Sequence, residues 1–203
     1  MEKQKFEGKT LIDAKNNALE ALNASEEEVF IKELEVKKSL FSKKVEIEAI
    51  TYIDLNQAIK DYLIFLVKGM GLTGNIEFKK REDNLIFNII SPSNSILIGR
   101  NGRTIDAIQT LASQMVATEL KEYYRFSVDV NDYKSKKKAR LEKLAKYTAK
   151  DVARSGIAVT LEPMNAYERR IIHSILTNST DIATESIGEE PNRCIVIKRK
   201  EDK

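Results

Sequence analysis

Apolar and polar positions along this chain repeat with a period of two in some stretches and of three to four in others, and the changes of period mark out its elements. A short strand is predicted around Lys5-Phe6-Glu7. After Gly8, Thr10 opens a helix, with Asp13 three residues on as its capping partner and Ala14, Ala18 and Leu22 as its inner stripe. Two alternating runs follow, 30–36 and 45–49, joined by a basic turn over 37–44. Together they predict a βαββ unit.

A second group of elements begins with a helix whose inner face is read as Ile59, Leu63, Leu66 and Met70, capped by Asp54 with Gln57 and ended near Gly69-Met70-Gly71. Ile76 and Phe78 alternate in a strand before the polar turn Arg81-Glu82-Asp83-Asn84. Residues 85–90 form a nearly continuous apolar run, as in a central strand, stopped by Ser91-Pro92-Ser93. The apolar turn Ile96-Leu97-Ile98 then meets Gly99-Arg100-Asn101-Gly102, and a long helix carries Ile105, Ile108, Ala112, Met115 and Val116 at helical spacing. Residues 124–131 alternate again. The order is αββααβ.

A third group opens with Asn131-Asp132, read as the cap of a helix with Leu141, Leu144, Ala145, Thr148 and Val152 inside, ended by Gly156. A strand at 157–161, a break at Pro163, a helix capped by Asn165 and running to about Thr177, and a last strand at 193–199 complete an αβαβ order. The expected fold class is therefore α+β: three small α/β modules in tandem, at 1–52, 53–131 and 132–203.

Composition sharpens this picture through the distribution of charge. The 203 residues are 42% hydrophobic and 32% charged, and a net charge of +3 is too small to establish a polyanionic partner. Residues 133–154 nevertheless hold 9 basic against 2 acidic residues, either a stripe facing phosphate or a solvated helix face. No apolar run approaches the roughly 18 residues of a membrane helix, and the chain starts with charged residues. The single cysteine, Cys194, forms no intramolecular disulfide and makes no metal site without several other ligands. A cytoplasmic protein with neither metal nor cofactor is expected.

Two glycine pairs share one spacing. Gly71-Leu72-Thr73-Gly74 follows a helix end, is uncharged and leads into a strand, so helix termination accounts for it. Gly99-Arg100-Asn101-Gly102 instead opens a helix and sets Arg100 and Arg103 around its entrance. Unpaired N–H groups at a helix N-terminus, the helix dipole and two guanidinium groups all favour an anion there. Ile98-Gly99-Arg100-Asn101-Gly102-Arg103-Thr104-Ile105 resembles the I-G-x-x-G-x-x-I signature of KH domains, and the αββααβ order resembles their bacterial, type II arrangement. That resemblance implies a loop that clamps a nucleic-acid backbone, with apolar residues around Ile98 and Ile105 shaping where bases rest.

Arg169 and His173, four residues apart, project from one helix face with Arg170 close by. A guanidinium beside an imidazole suits a phosphate together with a base or sugar edge. Residues 163–173 are similar to the signature of a small single-strand nucleic-acid-binding domain named for its arginine, three-residue gap and histidine. In such domains the pair also orients the fold through internal hydrogen bonds.

The three modules in this order resemble the bacterial Jag/KhpB family, the first through Gly8-Lys9-Thr10 and Lys37-Lys38-Ser39-Leu40-Phe41. Ser42-Lys43-Lys44 stands where relatives commonly have glycines, and the short connection from Ala49 to Asp54 predicts that the first module packs on the second. The resemblance implies a non-enzymatic, single-stranded RNA-binding regulator of cell envelope growth or division, with single-stranded DNA an alternative ligand at the C-terminal module. It implies the small KH protein KhpA and the YidC/SpoIIIJ membrane insertase as partners, without membrane insertion. A protein-interaction adaptor with incidental RNA binding is the competing reading. Catalysis is not expected, since only His173 offers a neutral base and Cys194 falls in a strand run rather than at a helix start. The expected RNA-binding residues are Gly99, Arg100, Asn101, Gly102, Arg103, Arg169, Arg170 and His173.

Overall fold

The computed structural model describes residues 3–34, 37–38, 43–81 and 84–200, in two compact units, Met1–Val128 and Asp129–Lys203. Residues 35–36 of the first alternating run, 39–42 of the basic turn and Glu82-Asp83 of the polar turn lie outside the described residues.

The first unit begins with the βαββ module. Strands β1 (Gln4–Gly8), β2 (Val29–Glu33) and β4 (Lys43–Thr51) form an antiparallel sheet in the order β1-β4-β2, with the two-residue β3 (Lys37–Lys38) also paired to β4. Period-two alternation sets the register: Phe6 lies opposite Ile47 and Ile31 opposite Ala49. Helix α1 (Leu11–Leu22) lays the fully buried Ala14 and Ala18 on this sheet. Its capping box is the predicted one: Thr10 Oγ1 accepts from Asp13 N, and Thr10 N donates to Asp13 Oδ2, both at 3.1 Å. Chain and helix approach so closely here that a Cβ at Gly8 would collide with the backbone of Ala14.

Strand β4 runs into helix α2 (Tyr52–Gly69) without a linker. The cap is Thr51, whose Oγ1 accepts from Asp54 N at 3.0 Å, rather than the expected Asp54. The buried stripe is Leu55, Ile59, Leu63 and Val67, while Leu66 is half-buried and Met70 exposed. Two adjacent apolar rows exist on this helix, and only the fold selects between them. Truncating a fully buried member such as Leu63 to Ala would cost about 2–5 kcal/mol.

The rest of the unit has the expected αββααβ order. Strands β5 (Asn75–Arg81), β6 (Asn84–Ile90) and β7 (Ser127–Val130) form a sheet with β6 central. Phe87 on β6 is fully buried, its ring 5.3 Å from that of Phe78 and 5.5 Å from that of Phe126. Helices α3 (Asn94–Ile98) and α4 (Arg103–Leu120) follow β6. Gln109 of α4 fixes the last strand: its Oε1 accepts from Val128 N at 2.6 Å and its Nε2 donates to Phe126 O at 3.3 Å. Strand β7 is shorter than the alternation over 124–131 suggests. Tyr124 instead stacks on Tyr52, with ring centroids 6.0 Å apart, and donates from its hydroxyl to Asn56 Oδ1 at 3.1 Å.

The βαββ module does pack on its neighbour. The last turn of α4 carries no basic residue, and two lysines, one just before β1 and one on β2, supply the charge: Lys3 Nζ donates to Glu119 O at 2.7 Å and Lys32 Nζ to Leu120 O at 2.9 Å. Cations at exposed helix carbonyls satisfy orphan acceptors and oppose the helix dipole.

The second unit contains α5 (Tyr133–Ser155), β8 (Val159–Thr160), α6 (Ala166–Leu176), β9 (Ile182–Ile187) and β10 (Cys194–Arg199). The α+β class holds, but the order here is αβαββ rather than αβαβ. Strand β9 escapes the sequence pattern because most of its side chains are polar or exposed and only Ile182 is buried. The sheet runs β8-β10-β9, antiparallel throughout. Its core joins Leu141, Ala145 and Val152 of α5 to Ile172 of α6 and to Ile195 and Ile197 of β10. Leu144, assigned to this core from sequence, is 40% exposed, and Ala149 is buried in its place. Nor do Asn131 and Asp132 cap α5 with their side chains. Both adopt left-handed backbone, and Asp129 Oδ1 accepts from Lys134 N at 3.2 Å instead.

Candidate nucleic-acid interface

The Gly99–Gly102 turn is built by three left-handed residues. Gly99 N donates to Ser95 O at 2.9 Å and ends α3. Its φ of 70° and ψ of 179° belong to glycine alone, and a Cβ there would strike the Thr104 side chain. Asn101 (φ 54°) and Gly102 (φ 85°) complete the turn, and Gly102 N donates to Gly99 O at 3.3 Å. Helix α4 then starts with no side-chain cap.

The turn sorts the predicted residues into two kinds. Arg100, Asn101 and Arg103 are exposed, while Gly102 is buried and Gly99 half-buried. The glycines thus shape the turn, and the exposed side chains form its outer surface. Ile105 is only 1% exposed and belongs to the core, so it cannot line a surface for bases. The exposed apolar residue beside the turn is Ile96, at 55%, one turn earlier on α3. The other glycine pair behaves as helix termination predicts: Gly71 N donates to Lys68 O at 2.9 Å and Leu72 N to Val67 O at 3.1 Å, closing α2.

In the second unit, α6 is opened by a capping box in which Asn165 Oδ1 accepts from Glu168 N at 2.9 Å and Asn165 N donates to Glu168 Oε2 at 3.2 Å. The buried Glu168 carboxylate also meets Lys137 Nζ at 3.1 Å, so this lysine of the basic run is committed to the fold. One residue on, Arg169 is only 8% exposed. Its Nη1 donates to Met164 O at 2.7 Å and lies 2.9 Å from Glu190 Oε1, tying together the loops before α6 and before β10. His173 is exposed, with Nδ1 2.6 Å from Thr184 Oγ1 on β9. The exposed Arg170 completes an open pocket of about 370 Å³, lined also by Ala166, Arg169, His173, Thr184 and Ser186.

The structure brings Arg169, Arg170 and His173 to one pocket, as their spacing implies. Sequence reasoning misses three participants. Thr184 and Ser186 lie on the unpredicted β9, and Glu190 is visible in the sequence only as part of an acidic loop.

Residues 56–128, which contain the turn, match the KH domain of KhpA and KhpB, and residues 139–199, which contain the pocket, match the R-3-H domain, whose name abbreviates Arg-x-x-x-His. This chain belongs to the KhpB/Jag family. It is 38% identical over 139 residues to the RNA-binding protein KhpB of Clostridium symbiosum, covering 68% of this chain and 63% of that one. Against the protein of that name from Lactiplantibacillus plantarum, identity is 34% over 141 residues, 70% and 44% of the two chains. With the Bacillus subtilis protein of the same name it is 28% over 200 residues, 95% and 96%. The matched region thus spans less than two thirds of the first two relatives. Within this family's frame the turn belongs to the KH domain and the pocket to the Arg-x-x-x-His domain. Among the described residues no helix is long and apolar enough to cross a membrane, and no cluster of acidic, His and Cys side chains is placed to hold a metal.

Proposed function

We propose that this chain is a non-enzymatic regulator that binds single-stranded RNA, holding its backbone at the KH turn and again at the pocket of the Arg-x-x-x-His domain. The observation that carries this reading is the exposed tip formed by Arg100, Asn101 and Arg103 at the uncapped start of α4. A phosphate there meets the positive end of the helix dipole and guanidinium donors at once. The left-handed backbone at Gly99, Asn101 and Gly102 holds that surface in place before RNA arrives.

At the second pocket, Arg170 offers a phosphate contact and the His173 ring a stacking face, while Arg169 shapes the pocket from beneath. The names of the relatives, RNA-binding protein KhpB, support the ligand class. Two modest sites on one chain reinforce each other through effective concentration. The cellular setting that goes with this reading is envelope growth or division, with KhpA and the YidC insertase machinery as partners.

Titrating the full chain into a labelled single-stranded RNA, its duplex and the matching single-stranded DNA tests the proposal. Tighter binding of the single strand, weakening steeply as salt rises, is expected because neutralised phosphates release counterions. Equal affinity for duplex and single strand, or binding indifferent to salt, would overturn it.

A further inference from the structure

The basic run over 133–154 is the feature with no part in either site. On an α-helix turning 100° per residue, Lys136, Arg140, Lys143, Tyr147, Lys150 and Arg154 recur at intervals of four, three, four, three and four, so they share one narrow face of α5. The core residues Leu141, Ala145, Thr148 and Val152 occupy the opposite face. All six stripe residues are exposed, and no acidic residue falls between them on that face. Glu142 and Asp151 sit on its flanks, Asp151 pairing with Arg154 at 2.7 Å.

The stripe is available rather than consumed by the fold. Arg140, Lys143 and Lys150 have no ion-pair partner among the described residues. Lys136 donates to the nearby Asn131 O at 2.8 Å. In the middle stands Tyr147, 75% exposed, beside a groove of about 510 Å³ lined also by Lys150, Asp151 and Arg154. From Lys136 to Arg154 the stripe is about 27 Å long.

We infer that this face of α5 is a third RNA-contact surface, a track on which lysine and arginine follow the phosphates of a single strand while one base stacks on Tyr147. The exposed aromatic distinguishes this from a merely solvated face: cations neutralise phosphate, but a bare phenol ring amid them gives a base a stacking platform. It also argues against an anionic membrane, since a helix lying on lipid inserts an apolar face, and that of α5 is buried in its own core. The inference goes beyond the turn and the pocket, neither of which includes a stripe residue.

The test uses the full chain and a fluorescein-labelled oligouridine of 30 nucleotides, read by anisotropy across a salt series. Lys143→Gln with Lys150→Gln should reduce the slope of log affinity against log salt by about 1.4, the value for two single-strand phosphates. Tyr147→Ala should weaken binding about fivefold to a hundredfold, Tyr147→Leu should match it, and Tyr147→Phe should stay within about twofold of wild type. Circular dichroism melts superimposable on wild type are expected, because every altered side chain is exposed. An unchanged slope and unchanged Tyr147→Ala affinity, with Arg100→Asp/Asn101→Asp still impairing binding, would overturn the track and leave the KH reading standing. Loss of binding to phosphatidylglycerol vesicles without loss of binding to RNA would also overturn it, in favour of a membrane surface.

Discussion

Arg169 Nη1 lies 2.9 Å from Glu190 Oε1, so a carboxylate of this chain already occupies the place beside the guanidinium that a phosphate would seek. Substitutions separate this structural role of Arg169 from the RNA contact proposed for its pocket. Arg169→Ala removes a charged donor from Met164 O and from Glu190, and should lower stability by about 1.5–3 kcal/mol in a denaturant titration. Glu190→Gln keeps the shape and removes the competing charge. It should tighten RNA binding severalfold with stability changed by less than about 1 kcal/mol, since Glu190 is largely exposed. Unchanged RNA binding in Glu190→Gln would show that Arg169 serves the fold alone.

Gly99→Ala places a Cβ against Thr104 and forces φ of 70° on a residue that resists it. A loss of about 1–3 kcal/mol is expected, visible as a lower melting temperature. A thermal melt equal to wild type would mean that the turn has an alternative geometry.

Lys32→Met should cost about 0.3–1 kcal/mol by removing one of the two cations at the C-terminal carbonyls of α4. The difference should shrink as salt is raised, because the interaction of Lys32 with the helix end is electrostatic. Equal stability of the two proteins at low salt would refute the capping role.

Tyr124 titrates late. Burial pushes its phenol up from the usual tyrosine value to about 12, helped by neighbouring Tyr52. The unfolded chain ionises Tyr124 near pH 10 while the folded chain keeps the proton, so its contribution is intact below about pH 10 and is lost as pH rises to about 12. Allowing for solvent screening of a half-buried group, wild type should lose about 2 kcal/mol more stability than Tyr124→Phe across that window. Parallel stability curves for the two proteins would contradict this.

Much of the fold is legible in the sequence because its signals are local: a period-two run for β4, a nearly continuous apolar run for β6, caps at Thr10 and at Asn165, and glycine at the ends of α2 and α5. What escapes depends on distant partners. The phase of α2, with Val67 inside and Met70 outside, is chosen by the surfaces it packs on. Strand β9 has too few buried positions to alternate visibly. At the sites, the spacing of Arg169 and His173 is readable, but the carboxylate that meets Arg169 lies 21 residues along the chain, and no spacing rule points to it. The same holds for Ile105, whose place in the KH signature conceals that it faces the core.

The central claim rests on the turn at Gly99–Gly102, and the most direct measurement is the affinity of Arg100→Asp/Asn101→Asp for single-stranded RNA across a salt series. Both side chains are exposed, so the variant should melt as wild type does. It should bind at least about tenfold more weakly, with a salt slope shallower by about 0.7 for each phosphate that is no longer neutralised. A folded variant with wild-type affinity and wild-type slope would contradict the account.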